Sequence, residues 1–502
     1  MSGGVLFNSI PGSGLVAPIT TFEINSGGAY ESNARVIILG HKTAAGSLAD
    51  NTFAVCGNAN DALALVGPGQ LYETFRVARM NAPAQEFWIG VVPETGTAEI
   101  RTITIGTMPA AGGQGVVEIA GRQVVLQVAA GEAANTTATN LAAAINAFAD
   151  PLTGAYLPYT ATAATNVVTL TCRHKGALFS EIEVVAPDTI PGNIFAPAGR
   201  LVFATTTPGS GTPSVSALLA ALGDEPFDAI ISPFSEAANV AAVETFLSET
   251  AGRWAWDRQI YGHHCTVTTG NLSALTTLGL TRNNAHESFI GRVASPTPSW
   301  EWAAGIYARV LPWLLDDTNG NIARNHTGLV VEGVRPPRDR TTWFGYAARN
   351  TLTKSGISTW TVTQDGKLAI DKLVTTRRLG AQGQPDVTFR DIQAPFQVMA
   401  GLRYIRAYLQ TRHSQKALAR KNPNNIAAIS TPDDIKADTI AAHADTVARG
   451  IFEDNEGFAQ RLVVEIDQTN ANRVNLGMKL DRVNPLDILA GNATIYAQYQ
   501  AA

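Results

Sequence analysis

The sequence offers few side chains at spacings that could support chemistry. The densest group of possible metal ligands is the run Tyr261-Gly262-His263-His264-Cys265. Because His263 and His264 are adjacent, on a strand they point to opposite faces and do not readily bind one ion. His286 follows but lacks a His-Glu-x-x-His frame. We therefore predict that these histidines are structural and that the chain has no metal-binding residues.

Phosphate binding and nucleophilic catalysis also lack their usual motifs. Gly40-His41-Lys42-Thr43-Ala44-Ala45-Gly46 follows a predicted strand and Gly67-Pro68-Gly69 precedes a predicted helix, but neither has the glycine order that aims several amides at a phosphate. Ser232-Pro233 follows a strand without a Gly-x-Ser-x-Gly elbow. We predict no catalytic residue and no cofactor. A hydrolase stays as the alternative function.

The strongest charge feature is basic. Within a stretch that contains neither Asp nor Glu lie Arg403, Arg406, Arg412, Lys416, Arg420 and Lys421. If a helix beginning near residue 395 continues through them, Arg412, Lys416 and Arg420 lie at i, i+4 and i+8 on one face. This basic ridge is either a solvated face or a docking surface for an acidic partner.

Composition indicates a globular chain of several domains. Its 502 residues suggest about three domains, and only 16% are charged where about a quarter is usual. Part of the surface is therefore expected to contact other protein. The net charge of −5 gives no argument for direct nucleic acid or membrane binding. No apolar run approaches the roughly 18 residues of a membrane span, and the isolated Cys56, Cys172 and Cys265 favour a reducing compartment over disulfides.

Hydrophobic periodicity predicts an α/β domain that is interrupted by an insertion. A buried strand at 36–39, a helix with Leu71, Phe75 and Ala78 on one face, and a strand at 87–92 form a βαβ unit with parallel strands. Helix and strand alternation resumes after residue 213. Between them, 97–212 is rich in Ala, Thr, Gly and Val and contains a predicted hairpin and helix. We interpret 97–212 as an inserted α+β module.

The C-terminal third ends in alternating segments. After a helix from about residue 395 and a second helix capped by Thr431 and Pro432, two strands alternate polar and apolar residues and form a hairpin. A third alternating segment, 493–499, runs almost to the chain end with nothing to cover it. A small sheet of this kind has an unpaired edge to which another chain can add a strand. Residues 1–33 cannot pack a core and are predicted to form an arm.

The order of these pieces resembles the tail sheath proteins of contractile, Mu-like bacteriophages over nearly the whole chain. The resemblance depends on Phe7-Asn8-Ser9-Ile10-Pro11 with Glu23, Val36-Ile37-Ile38-Leu39-Gly40, Gly67-Pro68-Gly69-Gln70-Leu71, Glu86-Phe87-Trp88, Phe227-Asp228-Ala229-Ile230-Ile231-Ser232-Pro233-Phe234, Arg282-Asn283-Asn284-Ala285-His286, Thr431-Pro432-Asp433-Asp434-Ile435-Lys436 and Leu462-Val463-Val464-Glu465. Each motif is weak alone, and their order is the more specific signal.

The resemblance implies a structural subunit that polymerises as stacked hexameric rings around a tail tube and contracts without nucleotide hydrolysis. It implies partners in the tail tube, baseplate and tail terminator proteins, and a location in the virion tail after assembly in the host bacterial cytoplasm. The implied α/β core is subtilisin-like in topology but is not a protease. No catalytic residue is carried over.

The predicted domains follow from both lines of reasoning. They are an N-terminal arm at 1–33, a subtilisin-like α/β domain at 34–96 and 213–339, the inserted peripheral module at 97–212, and a C-terminal α+β domain at 340–502 with a strand-exchange hairpin at 455–482 and an arm at 485–502. The residues predicted to exchange strands between subunits are Phe7, Ile10, Phe22, Ile24, Leu462, Val464, Ile466, Val474, Leu476, Met478, Ile495 and Ala497. The predicted tube contacts are Arg412, Lys416 and Arg420.

Overall fold

A computed structural model describes residues 34–495 of the chain. The strands in this part are β1 (Val36–Gly40), β2 (Phe53–Cys56), β3 (Phe87–Val91), β4 (Ala98–Ile105), β5 (Gly113–Ile119), β6 (Arg122–Val128), β7 (Tyr159–Ala164), β8 (Val167–Lys175), β9 (Val184–Val185), β10 (Leu201–Thr207), β11 (Ala229–Ser232), β12 (His263–Thr269), β13 (Glu287–Arg292), β14 (Ile357–Val362), β15 (Leu368–Lys372), β16 (Ala417–Leu418), β17 (Ile429–Ser430), β18 (Val463–Ile466) and β19 (Val474–Gly477).

The α-helices of the same part alternate with these strands or pack between the sheets. They are α1 (Ala59–Val66), α2 (Gln70–Asn81), α3 (Ala134–Asn146), α4 (Ser216–Leu222), α5 (Ala237–Leu247), α6 (Leu272–Thr281), α7 (Ser299–Leu314), α8 (Tyr346–Lys354), α9 (Gln393–His413), α10 (Pro432–Ala448) and α11 (Asn455–Arg461). Short 3-10 helices occupy Ala177–Glu181, Asn321–Ala323 and Arg340–Thr342. None of the helices between residues 34 and 495 is long and apolar enough to cross a membrane.

An eight-stranded sheet forms the centre of the fold, in the order β15-β14-β13-β12-β11-β1-β3-β2. Its inner strands pair in parallel, and the two outermost pairs are antiparallel. The residues of β1 are buried on both faces, as expected when helices cover both sides of a parallel sheet. Helices α2 and α7 contribute to the main core, and α4 and α5 to the cluster on β1's other face. The predicted βαβ unit at 36–92 is confirmed, with β1 and β3 parallel and α2 between them in sequence.

Between β3 and β11 the chain leaves the large sheet. It forms a four-stranded antiparallel sheet, β10-β4-β8-β7, and a three-stranded sheet, β6-β5-β9, which share a second hydrophobic cluster with α3. The predicted hairpin is β5 and β6, joined by Ala120 and Gly121, both of which have positive φ angles of 51° and 76°. Such a two-residue turn matches the twist of the flanking strands. The predicted mixed α/β, multidomain class is confirmed.

The large sheet also continues beyond the predicted start of the C-terminal domain. Strands β14 and β15, both after residue 340, complete one edge of it. The boundary predicted at 340 therefore falls within this sheet, whose last strand ends at Lys372. Local periodicity does not reveal this pairing because β14 joins β13 across a long intervening segment. The remaining division into domains stays a prediction.

After the large sheet, the two helices predicted in the C-terminal third are α9 and α10, which pack on each other. The predicted cap of α10 is confirmed: the Thr431 hydroxyl accepts the Asp434 amide, Asp434 bonds back to the Thr431 amide, and Pro432 occupies the first turn. This reciprocal pair satisfies amides that the helix itself cannot bond. After α10 the chain continues through α11 into the final hairpin.

Candidate assembly interface

The final hairpin consists of β18 and β19 and stands as a separate two-stranded sheet. Val464 lies opposite Leu476 and Ile466 opposite Val474. These four side chains are half-buried, whereas Val463 on the other face is 55% exposed. The hairpin and its alternation are as predicted. A two-stranded ribbon is marginal by itself, so further strands would stabilise it.

The residues that flank the two strands of the hairpin are buried or partly buried. Leu462 is buried, and Met478 is partly buried against the cluster that contains α9 and α10. Among residues 34–495 no strand other than β18 and β19 joins this sheet. Both of its long edges are therefore open to backbone pairing within this part of the chain.

The predicted donor strands are described only in part. Phe7, Ile10, Phe22, Ile24 and Ala497 lie outside the described residues. Ile495 is described, belongs to no strand, and is 92% exposed.

The predicted basic ridge is wrong as a helical feature. Helix α9 ends at His413, so Lys416 and Arg420 lie on the following loop and not on the face that carries Arg412. The chain turns there because β16 pairs in parallel with β17 and because the His413 ring contacts Ser430, with 2.8 Å between His413 Nδ1 and Ser430 Oγ. Arg412 is also paired, its guanidinium lying 3.0 Å from an oxygen of Asp438 on α10. All three basic side chains are nevertheless exposed.

The His-rich run on β12 is buried and divided between two faces. His263 Nε2 lies 2.9 Å from Ser288 Oγ, and neither ring nitrogen of His264 has a hydrogen-bond partner among the described residues. Burial lowers the pKa of His264 to about 3. His286 lies against Glu249 and stacks on Trp254. No group of three or more metal-ligating side chains converges within residues 34–495.

The geometry near α10 includes one arrangement that sequence reasoning missed. Ser430, His413 and Asp438 lie in series, with 2.8 Å from Ser430 Oγ to His413 Nδ1 and 3.1 Å from His413 Nε2 to Asp438. Their order resembles a nucleophile, base and acid. However, Ser430 is only 4% exposed, and Asp433 and Asp434 lie in the first turn of α10, where they would repel a developing oxyanion. Ser232 is buried as well, its hydroxyl accepting the Phe234 amide.

A histidine pair at the start of α2 is similarly occupied. The Gln70 amide donates to His174 Nε2 at 2.8 Å, while His174 Nδ1 contacts the Glu94 carboxylate. Neighbouring His41 bonds the Val92 carbonyl, and burial lowers its pKa to about 4. Both nitrogens of His174 are therefore engaged in structural contacts, whereas His41 Nε2 is buried without a hydrogen-bond partner among the described residues.

The known proteins that this chain is similar to are phage tail sheath proteins. Residues 209–376, about a third of the chain, match the family model for the phage tail sheath protein central domain. This part of the chain is similar to that central domain. It is also 29% identical over 500 residues to the Mu-like prophage FluMu tail sheath protein of Haemophilus influenzae, covering 97% of this chain and 98% of that protein. The predicted resemblance to tail sheath proteins is confirmed.

Similar solved structures include further sheath proteins. The sheath tail protein of Desulfitobacterium hafniense covers 93% of this chain and 97% of its own, with 11% identity and a TM-score of 0.48. The contracted helical sheath of the anti-feeding prophage covers 96% of this chain and 99% of its own, with 11% identity and a TM-score of 0.45.

Proposed function

We propose that this protein is the structural subunit of a contractile tail sheath. It polymerises as stacked hexameric rings around a tail tube, and contraction drives the tube through the bacterial envelope without nucleotide hydrolysis. The similarity to a tail sheath protein over 97% of the chain carries this proposal. The assembly's further partners are the tail tube, baseplate and tail terminator proteins, and the subunit resides in the virion tail after assembly in the host cytoplasm.

Subunits join by strand exchange at the hairpin of β18 and β19. The support is an open two-stranded sheet flanked by the buried Leu462 and the partly buried Met478, together with exposed apolar side chains in the terminal segment. Strands donated by neighbouring copies would complete the sheet through main-chain hydrogen bonds. If each copy receives a strand from one neighbour and donates its own to a different one, the contact is heterologous and produces rings or helical stacks.

The tube side is proposed to include Arg412, Lys416 and Arg420. Their shared helical face is excluded, but all three remain exposed at the end of α9 and the loop after it. An acidic tube surface would be attracted to this charge, which would set the register of encounter more than the final affinity. The module at 97–212 is proposed to lie at the periphery of the assembly. The support is that Thr97 and Ser210, at its two ends, form a backbone bridge, so the chain leaves and re-enters the rest of the fold at one place.

Electron microscopy of the purified protein tests the proposal. We expect the full chain to form long regular tubes, and we expect a truncation that lacks residues 1–24 to remain a folded monomer, because its neighbours lose a donated strand. A matched control is the full chain with Lys367→Met, a substitution of an exposed side chain away from the hairpin. Regular tubes from the truncated chain would contradict strand exchange, and a full chain that never polymerises would contradict the sheath function itself.

A further inference from the structure

The segment that leads to the C-terminal end is held against the subunit beyond residue 485, where the sequence predicts that the arm begins. The Glu453 amide donates to the Asp481 carbonyl at 2.9 Å, the Val483 amide donates to Ile451 at 3.2 Å, and Gln397 donates to the Val483 carbonyl at 2.8 Å. Backbone contacts of this kind hold 481–483 against α9 and the loop after α10. The predicted arm beginning at 485 therefore starts from an already fixed position.

The last ties lie at Leu486 and Asp487. Asn325 donates to the Leu486 carbonyl at 2.6 Å, and the ammonium of Lys372 lies 2.5 Å from a carboxylate oxygen of Asp487. Lys372 is the final residue of β15, at the edge of the large sheet. Its ammonium also lies 2.9 Å from Asp391, which precedes α9. One side chain thus joins the sheet edge, the start of α9 and the terminal segment.

The ion cluster is shielded from water. Side-chain exposure is 5% for Asp391, 15% for Arg482 and 16% for Lys372, and Arg482 supplies Asp391 with a second cation at 3.0 Å. Salt screens ion pairs of this kind less than exposed pairs, and a buried pair depends more strongly on the relative orientation of its two groups. Asp487 is the more accessible member at 26%. It can therefore be removed without stripping the buried Asp391 of its partners.

The polar ties to the subunit end at Asp487, although exposure begins one residue earlier. Every residue from 486 to 495 is exposed, including Leu486 at 72%, Ile488 at 78% and Leu489 at 90%. A run of apolar side chains that is free of the subunit's own core is expected to be covered by other protein. Since the chain supplies no cover between residues 34 and 495, the fitting cover is a second copy of this chain, as the proposed strand exchange requires.

We propose that Lys372 is the anchor of the C-terminal arm. It fixes the place and direction in which residues 488 onward leave the subunit, so that the arm pivots between Asp487 and Ile488 and not at 485. Lys372 acts as a positioning residue: it does not contact the neighbouring copy but determines which neighbour the arm can reach. This inference rests on the proposed function, which supplies the neighbour.

Limited proteolysis of the unassembled full chain tests the anchor without relying on assembly. Thermolysin cleaves before Leu where the backbone is not held, so in the natural protein we expect cleavage before Leu489 but little before Leu486, whose carbonyl accepts a hydrogen bond from Asn325. In Asp487→Asn, and in Lys372→Met as a second variant, cleavage before Leu486 should rise about fivefold, the ratio for roughly 1 kcal/mol. Lys367→Met is the matched control because its exposed pair with Glu332 lies beside the same strand. Equal cleavage before Leu486 in all four proteins would overturn the anchor.

Assembly of the same proteins tests whether the anchor positions the arm. We expect Asp487→Asn to give fewer and less regular tubes than the natural protein and the Lys367→Met control. If Asp487→Asn loosens Leu486 and still gives tubes of normal order, the positioning role is refuted while the sheath proposal stands. If the natural protein forms no tubes, the sheath proposal fails, and the proteolysis still decides whether Lys372 fastens the segment.

Discussion

Replacing Arg122 should destabilise the protein strongly, because this side chain joins the inserted module to the large domain. Arg122 begins β6, and its guanidinium lies 2.7 Å from Glu73 on α2 and 2.8 Å from Glu301 on α7. Arg76 completes the group at 2.8 Å from Glu73 and 3.9 Å from Glu301. All four side chains are at most 9% exposed. The two arginines and two glutamates balance, so Arg122→Met leaves a buried negative charge.

The magnitude follows from the loss of one partner of a buried ion pair. Such a loss costs about 3–5 kcal/mol, because the remaining charge is desolvated without compensation. If the 502-residue chain unfolds as one unit, with an unfolding entropy of about 2.1 cal/mol/K per residue, this corresponds to a fall of about 3–5 °C in the thermal midpoint. Tryptophan fluorescence reports the transition, because the buried Trp300, which is next to Glu301 and contacts Phe179, contributes to it. Lys367→Met serves as the control, since an exposed pair contributes less than about 1 kcal/mol.

The pH dependence of the deficit gives a second, independent check. Burial raises the pKa of Glu301, and the Arg122 charge opposes that rise. A carboxyl whose folded pKa lies above its unfolded value favours the folded state as pH falls, because the folded protein then holds more protons. Arg122→Met removes the opposing charge, so the pKa of Glu301 should rise further. The loss of stability in Arg122→Met, relative to the natural protein, should therefore shrink as the pH falls from 8 to 5.5. The double variant Arg122→Met with Glu301→Gln should be less destabilised than the sum of its single variants.

Equal thermal midpoints for Arg122→Met and Lys367→Met at pH 8 would refute this reasoning. Additive effects in the double variant would refute the coupling between Arg122 and Glu301, even if the single variants were unstable.

Two further predictions concern charge. Changing Arg412, Lys416 and Arg420 together to Glu should weaken attachment to the tail tube in co-sedimentation while leaving tubes of sheath alone intact; unchanged attachment at ordinary salt would leave these residues as a solvated surface. Acid should destabilise the monomer below about pH 6.5, because the buried His264, whose pKa is lowered to about 3, stays neutral while the unfolded chain takes up its proton. His264→Leu should reduce this loss of stability by about 1.4 kcal/mol per pH unit between pH 6.5 and 4. The measurement is the thermal midpoint as a function of pH. A profile identical to that of the natural protein would contradict the role given to His264.

The sequence by itself determined the features that depend on neighbours along the chain. Alternation in 462–478 predicts the hairpin, the Thr431 and Asp434 spacing predicts the cap of α10, and the apolar runs at 36–39 and 87–92 predict buried parallel strands. Each signal records whether a local surface is buried, and periodicity carries that information directly. The order of such elements was also enough to indicate the sheath resemblance.

Tertiary structure decided where distant segments meet. Periodicity did not place β14 and β15 in the large sheet, and it extended α9 past His413, where contacts with Ser430 and the pairing of β16 with β17 turn the chain. The Arg122 cluster and the Lys372 anchor join residues 179 and 115 positions apart. A charged residue has the same local signature whether it is solvated or neutralised by a distant partner, because the partner is supplied only by folding. The hairpin that we propose as the assembly interface was therefore visible in the sequence, but the contacts that hold residues 481–487 against the subunit were not.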